Sequence, residues 1–190
     1  MLTFDKDAAQ KADAGTYITQ GGVYVGKLTK AECFSKPSGA AGIEFAFESE
    51  DGSKVDFLQV YTKNKNGSEN FGLAKIHSLM GLLGITTVQP VKVEDVNTLP
   101  ILCKRKLGIA LRKEEYYKND GSIGYKFEIL HFFDAQTMKT YSEWVDQKEA
   151  KTSKREIVDK LVKNNQSNQS GSSQRGNDES PAHDDGDLPF

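Results

Sequence analysis

Along the first 134 residues, apolar side chains recur mostly at the two-residue spacing of strands, with one segment switching to the spacing of a helix. The run GGVYVGKLTKAECF (21–34) is rich in β-branched and aromatic residues and bounded by glycines, so it reads as a strand. KPSGAAG (36–42) is a small-residue loop. IEFAFES (43–49) alternates, with Ile43, Phe45 and Phe47 on one face and Glu44, Ala46 and Glu48 on the other. EDGS (50–53) is a hairpin turn signal, and KVDFLQVYT (54–62) is the returning strand. After the polar loop 63–70 the period lengthens: Leu73, Ile76, Leu79, Met80 and Leu83 recur at three and four, which predicts a helix over 71–85 with Gly84 as its stop. Residues 86–100 read as an irregular connection. KLGIALRKEEYYK (106–118) and SIGYKFEILHFFD (122–134) flank NDG and predict a second hairpin. A helical turn is expected around Trp144. A second short helix is expected over 153–165, with Ser153 and Glu156 as its capping box and Ile157, Val158 and Leu161 on its apolar stripe.

The predicted order is strand, strand, strand, helix, strand, strand. It predicts a mainly β fold: a five-stranded OB-fold-like barrel with a helix between strands 3 and 4, followed by short C-terminal helices. Other small β-barrels and α+β sandwiches share this order. Residues 164–190 carry three apolar side chains, Ala182, Leu188 and Phe190, among Asn, Gln, Ser and Gly, and cannot bury a core. The expected organisation is therefore one domain over 1–163 and a disordered acidic tail over 164–190.

Charge divides the same way. The chain holds 25 basic and 27 acidic residues; the tail has five acidic residues against Arg175, leaving 24 basic and 22 acidic in 1–163. A slightly basic body with an acidic tail points toward nucleic acid. Cys33 and Cys103 are far apart without a CxxC pair, so neither zinc nor any other metal or cofactor is expected. The polar opening MLTFDKDAAQKADAG is unlike a secretory leader, no apolar run approaches a membrane span, and a cytoplasmic setting with reduced thiols is expected.

Gripping unpaired nucleic acid needs cations along the phosphates and flat rings under the bases. The first loop offers Phe34 and Lys36, and the end of the third strand offers Tyr61, Lys63 and Lys65. The fourth strand is entered through Lys104, Arg105 and Lys106 and carries Arg112, Lys113, Tyr116 and Tyr117; its partner adds Lys118, Tyr125 and Lys126. These are expected to converge on one face. Enzyme signatures are missing: no GxxxxGK[ST] loop, GxSxG elbow or HExxH pair occurs, and the acidic residues, Glu44, Glu48, Glu50 and Asp51 among them, do not form a two-metal set. His77 reads as a half-exposed helix residue and His131 as packed or at a groove edge.

The last residues, HDDGDLPF, join Asp184, Asp185 and Asp187 to Leu188, Pro189 and Phe190. DDGDLPF resembles the acidic tip of bacterial single-stranded DNA-binding proteins, with Gly186 as a departure. The body, through SGAAGIEFAFESEDGSKVDFLQVYTKNKNG, LMGLLGI and KLGIALRKEEYY, resembles the OB-fold single-stranded DNA-binding proteins of tailed phages over about residues 15–145. The resemblance implies a non-enzymatic protein of the host bacterial cytoplasm that coats single-stranded DNA in phage replication or recombination, where assembly of this chain into a homo-oligomer would raise affinity through multivalency. It implies recruitment of replication or recombination proteins through the tip. Strand annealing, or a protein-interaction adaptor on the same barrel, are the alternatives.

Overall fold

Sheet formation dominates the computed structural model, which describes residues 3, 4, 6, 16–103, 105–154 and 160–163. Three strands come first as a meander: β1 (Gly22–Ser35), β2 (Ala41–Ser49) and β3 (Lys54–Lys63). Helix α1 (Gly72–Leu83) follows, then a small hairpin of β4 (Val91–Val93) and β5 (Val96–Thr98), where the sequence suggested only irregular chain, and a 3-10 turn over Pro100–Cys103. Next come β6 (Lys106–Tyr117), β7 (Ile123–Asp134), a short helix α2 (Tyr141–Val145) around Trp144, and β8 (Lys160–Lys163). Seven of these strands pair antiparallel; β8 joins parallel to β6.

β1 is long because it serves two partners. Its residues 26–35 pair with β2, while its residues 22–27 pair with β6. β2 pairs onward with β3, and β6 with β7. One core results: Phe45 and Phe47 of β2, Leu58 and Val60 of β3, Ile109 and Leu111 of β6 and Ile129 and Phe132 of β7 are all buried. α1 seals it with Ile76, Leu79 and Leu83, three of the positions its period singled out, each buried side chain contributing about 1.5–3 kcal/mol. Gly84 ends the helix in the left-handed conformation, as its position predicts, and its N–H returns to the carbonyls of Met80 and Gly81. Cys33 and Cys103 are free thiols half-buried against this core, and burial pushes both thiols up. No helix among the described residues is long and apolar enough to cross a membrane.

Two expectations are corrected. The sheet does not close into a barrel: β3 and β7 lie side by side, but no hydrogen-bonded ladder joins them among the described residues. One physical obstacle is visible at the gap, where the Lys75 ammonium of α1 donates to the Ile129 carbonyl at 2.6 Å and occupies that β7 acceptor. The second correction concerns the helix expected over 153–165. Residues 160–163 are the strand β8, lying against β6 at Glu114 and Tyr116. β1 covers only the first half of β6, so the other half presents unpaired backbone that a strand can satisfy. A lone helix of this length has too little to bury to compete. Ser153 is buried, and its hydroxyl donates to the Met138 carbonyl. Glu156, Ile157 and Val158 lie outside the described residues.

Candidate nucleic-acid interface

At one end of the sheet, the first loop and the end of β3 meet. Phe34 and Tyr61 stack edge to face, with centroids 5.1 Å apart and an interplanar angle of 85°. The Lys36 ammonium sits over both rings, 5.9 Å and 5.5 Å from their centres. The rings belong to β1 and β3 and touch across β2, which is possible because Gly42 stands between them. A Cβ on Gly42 would lie 2.2 Å from the Val60 carbonyl and 3.0 Å from the Phe34 ring. Lys65 is next door, since its carbonyl lies 2.8 Å from where a Cβ on Gly39 of the first loop would fall. Lys36, Lys63 and Lys65 are exposed, and none has a carboxylate partner among the described residues. This pad unites Phe34, Lys36, Tyr61, Lys63 and Lys65 as the sequence suggested.

The β6–β7 hairpin holds a second group, differently disposed. Register places Lys113, Glu115 and Tyr117 on one face with Tyr125 and Phe127, and Arg112, Glu114 and Tyr116 on the other with Lys126 and Glu128. Its cations are largely committed. Arg112 pairs with Glu128 and Glu114, Lys126 with Glu114 at 3.1 Å, and Lys75 of α1 with Glu128 at 3.4 Å. Burial would raise the Glu128 carboxyl; the hydrogen bond from Arg112 and the charges of Lys75 and Arg112 outweigh it and hold it below the usual range. Lys113 pairs with Glu115 at 3.3 Å and lies 4.8 Å over the Tyr125 ring. Tyr116, Tyr117 and Tyr125 are exposed, as is Lys118 beside the turn.

Between pad and hairpin runs the β3–β7 seam, open except at its lower end, where Thr16 and Ile18 hydrogen-bond the Lys54 backbone. Its upper part is a cleft of about 690 Å³ bordered by Tyr61, Phe71, Lys75, Lys126 and Glu128. Its lower part, about 380 Å³, is walled by Tyr17, Lys54, Phe57, Tyr125 and Phe127. Phe57 and Lys126 border both, so the seam is continuous. Tyr17, Phe57, Phe71 and Lys75 were not legible from the sequence. Phe57 sits in an alternating strand whose parity would bury it with Val55. A β-bulge intervenes: Phe47 faces Val55 while Phe45 faces Leu58, which leaves an extra residue on β3. Phe57 is thrown outward, 75% exposed, with φ +59°, a left-handed backbone that costs an L-residue about 1–2 kcal/mol. Nothing in a single sequence marks such a bulge.

The run at 104–106 is not part of this surface. Lys104 lies outside the described residues. Arg105 and Lys106 border a separate cleft of about 470 Å³ with Lys27, Glu48 and Glu50, and Lys106 pairs with Glu50. Register explains the separation: Lys106 faces Lys27 on β1, eight residues, or roughly 26 Å of strand, from Ser35 at the pad. His77 is exposed on α1; His131, also exposed, edges a cleft between α1 and α2. Glu44 belongs to the ion-pair ladder of the outward sheet face, and Asp51 accepts from Ser49 and from the Ser53 N–H within its turn. No group of three or more His, Cys, Asp or Glu among the described residues is placed to hold a metal ion. Asp184, Asp185, Asp187, Leu188, Pro189 and Phe190 lie outside the described residues. In comparison with known proteins, the chain matches no protein-family model and no curated sequence.

Proposed function

We propose that this chain is a non-catalytic, sequence-independent single-stranded DNA-binding protein built on an open OB-type sheet. In this reading it coats unpaired DNA during phage replication or recombination and recruits other proteins through residues 184–190. The observation that carries the reading is the Phe34–Tyr61 pad under Lys36, with Lys63 and Lys65 beside it and without a carboxylate partner among the described residues. A ring surface accepts any base by its π-face, and ammonium groups without a carboxylate partner are available to phosphate. The strand order supports it as well: three meandering strands, a helix and a final hairpin follow the order of an OB barrel, a fold that binds oligonucleotides on one face. For the tip, an apolar pocket in a partner would take the Phe190 ring, basic residues at its rim the carboxylates, and the polar linker would raise local concentration.

Fluorescence polarisation of the full chain with labelled dT oligomers and a matched duplex tests the reading. Preference for dT, weakening steeply as salt rises, is the expected result. Equal or absent binding to both at low salt overturns it.

A further inference from the structure

We infer that a bound single strand follows the β3–β7 seam, from the Phe34–Tyr61 pad to Phe57, Tyr125 and Tyr17, and does not cross the outward face of β1 and β2. The inference rests on the DNA-binding reading above and fixes the path.

The outward face offers a phosphate backbone little. Its centre is Lys30, clamped by Glu32 at 3.0 Å and Glu44 at 3.2 Å, one cation against two carboxylates. The second oxygen of Glu44 accepts the Gln59 amide at 2.8 Å, and the Tyr61 hydroxyl donates to Gln59 Oε1 at 3.2 Å. Those donors are spent on one another, and an approaching phosphate meets surplus negative charge.

The seam has the opposite character. Phe57, Tyr17 and Tyr125 are 75%, 59% and 50% exposed, large rings that a β-rich domain normally buries or covers. The bulge that turns Phe57 outward re-aims a side chain into the cleft. Charge follows the same line. Glu114 and Glu128 are offset by Lys126, Arg112 and Lys75, while Lys54 has no carboxylate partner among the described residues. Asp56 is the opposing charge and sits two residues from Lys54 on the same wall. From Lys54 to Tyr61 the seam runs seven residues, roughly 23 Å of strand, with rings at both ends. An extended strand whose bases stack at either end, with its phosphates beside Lys54, Lys126, Lys63 and Lys65, matches that layout.

Photo-crosslinking of the full chain to dT oligomers carrying 5-iodouracil, with the adducts mapped by mass spectrometry, tests the path. Adducts at Phe57, Tyr125 or Tyr17 are expected. Adducts confined to Phe34 and to Lys30, Glu32 and Glu44 of the β1–β2 face overturn the inference. In polarisation titrations, Phe57→Ala and Tyr125→Ala should each weaken dT binding at least about five-fold, and Lys30→Ala and Glu44→Gln should change it less than about two-fold. Phe57→Gly, which accepts the left-handed backbone, repeats the test without a folding penalty. The reverse pattern removes the path while DNA binding stands; a wild-type chain that binds no DNA removes both.

Discussion

Glu143 holds Thr152 twice. Its Oε1 accepts the Thr152 backbone N–H at 2.7 Å and the Thr152 hydroxyl at 2.6 Å, with the Lys151 N–H at 3.0 Å as a third donor. Its Oε2 accepts the Thr140 N–H, closing a capping box on α2. One buried carboxylate thus fixes the chain where it leaves the folded body toward β8. Burial alone would raise this carboxyl; the Thr152 hydroxyl and the backbone donors of Thr140, Thr152 and Lys151 prevail and hold it at about 2.

The sign of the pH dependence follows. Because the folded value lies below the unfolded 4.5, the unfolded chain takes up this proton first. The stabilisation is complete above pH 4.5 and fades as pH falls toward 2. Glu143→Gln should lower stability at pH 7 by about 1–3 kcal/mol, since an amide cannot accept all of these donors. Urea denaturation at pH 7 and at pH 3 checks it: the gap between wild type and variant should narrow at the lower pH.

Removing a ring from the pad should weaken DNA binding more than it weakens the fold. Phe34→Ala and Tyr61→Ala are each expected to cost roughly 1–3 kcal/mol of dT binding through lost stacking. Isothermal titration with the full chain measures this. Loss of less than about two-fold in both variants would remove the pad from the interface.

Salt dependence separates the uncommitted cations from the paired ones. Lys36→Ala, Lys63→Ala and Lys65→Ala should each flatten the slope of log affinity against log salt by up to about 0.7. Lys106→Ala, at a separate cleft and paired with Glu50, should leave the slope unchanged. Titrations between low and moderate salt decide the matter.

Phe57 holds an exposed ring on a strained backbone, so Phe57→Gly should leave stability level or raise it by up to about 1 kcal/mol. Thermal melts read this directly. A large loss of stability would mean that the ring packs more than its exposure indicates.

The sequence by itself determined the main elements, the β4–β5 hairpin and β8 excepted. Alternation in 43–49, the DG turns, the three-four spacing of Ile76, Leu79 and Leu83 and the stop at Gly84 are local facts, and strand, turn and helix geometry follow from them within a few residues. It also singled out Phe34, Lys36 and Tyr61, which the structure brings together, because rings and cations near a loop are visible as residue types. What the elements do to one another was decided only in three dimensions. Pairing of β1 with both β2 and β6 sends Lys106 to the far end of the sheet from Lys36. A bulge reverses the parity of β3 and exposes Phe57, and carboxylates from neighbouring strands claim Arg112 and Lys126. The free half of β6 turns a helix-patterned segment into β8. The physical reason is common to all of these: backbone hydrogen bonding and ion pairing across strands depend on which residues register brings opposite, and a linear period carries no information about register between distant segments.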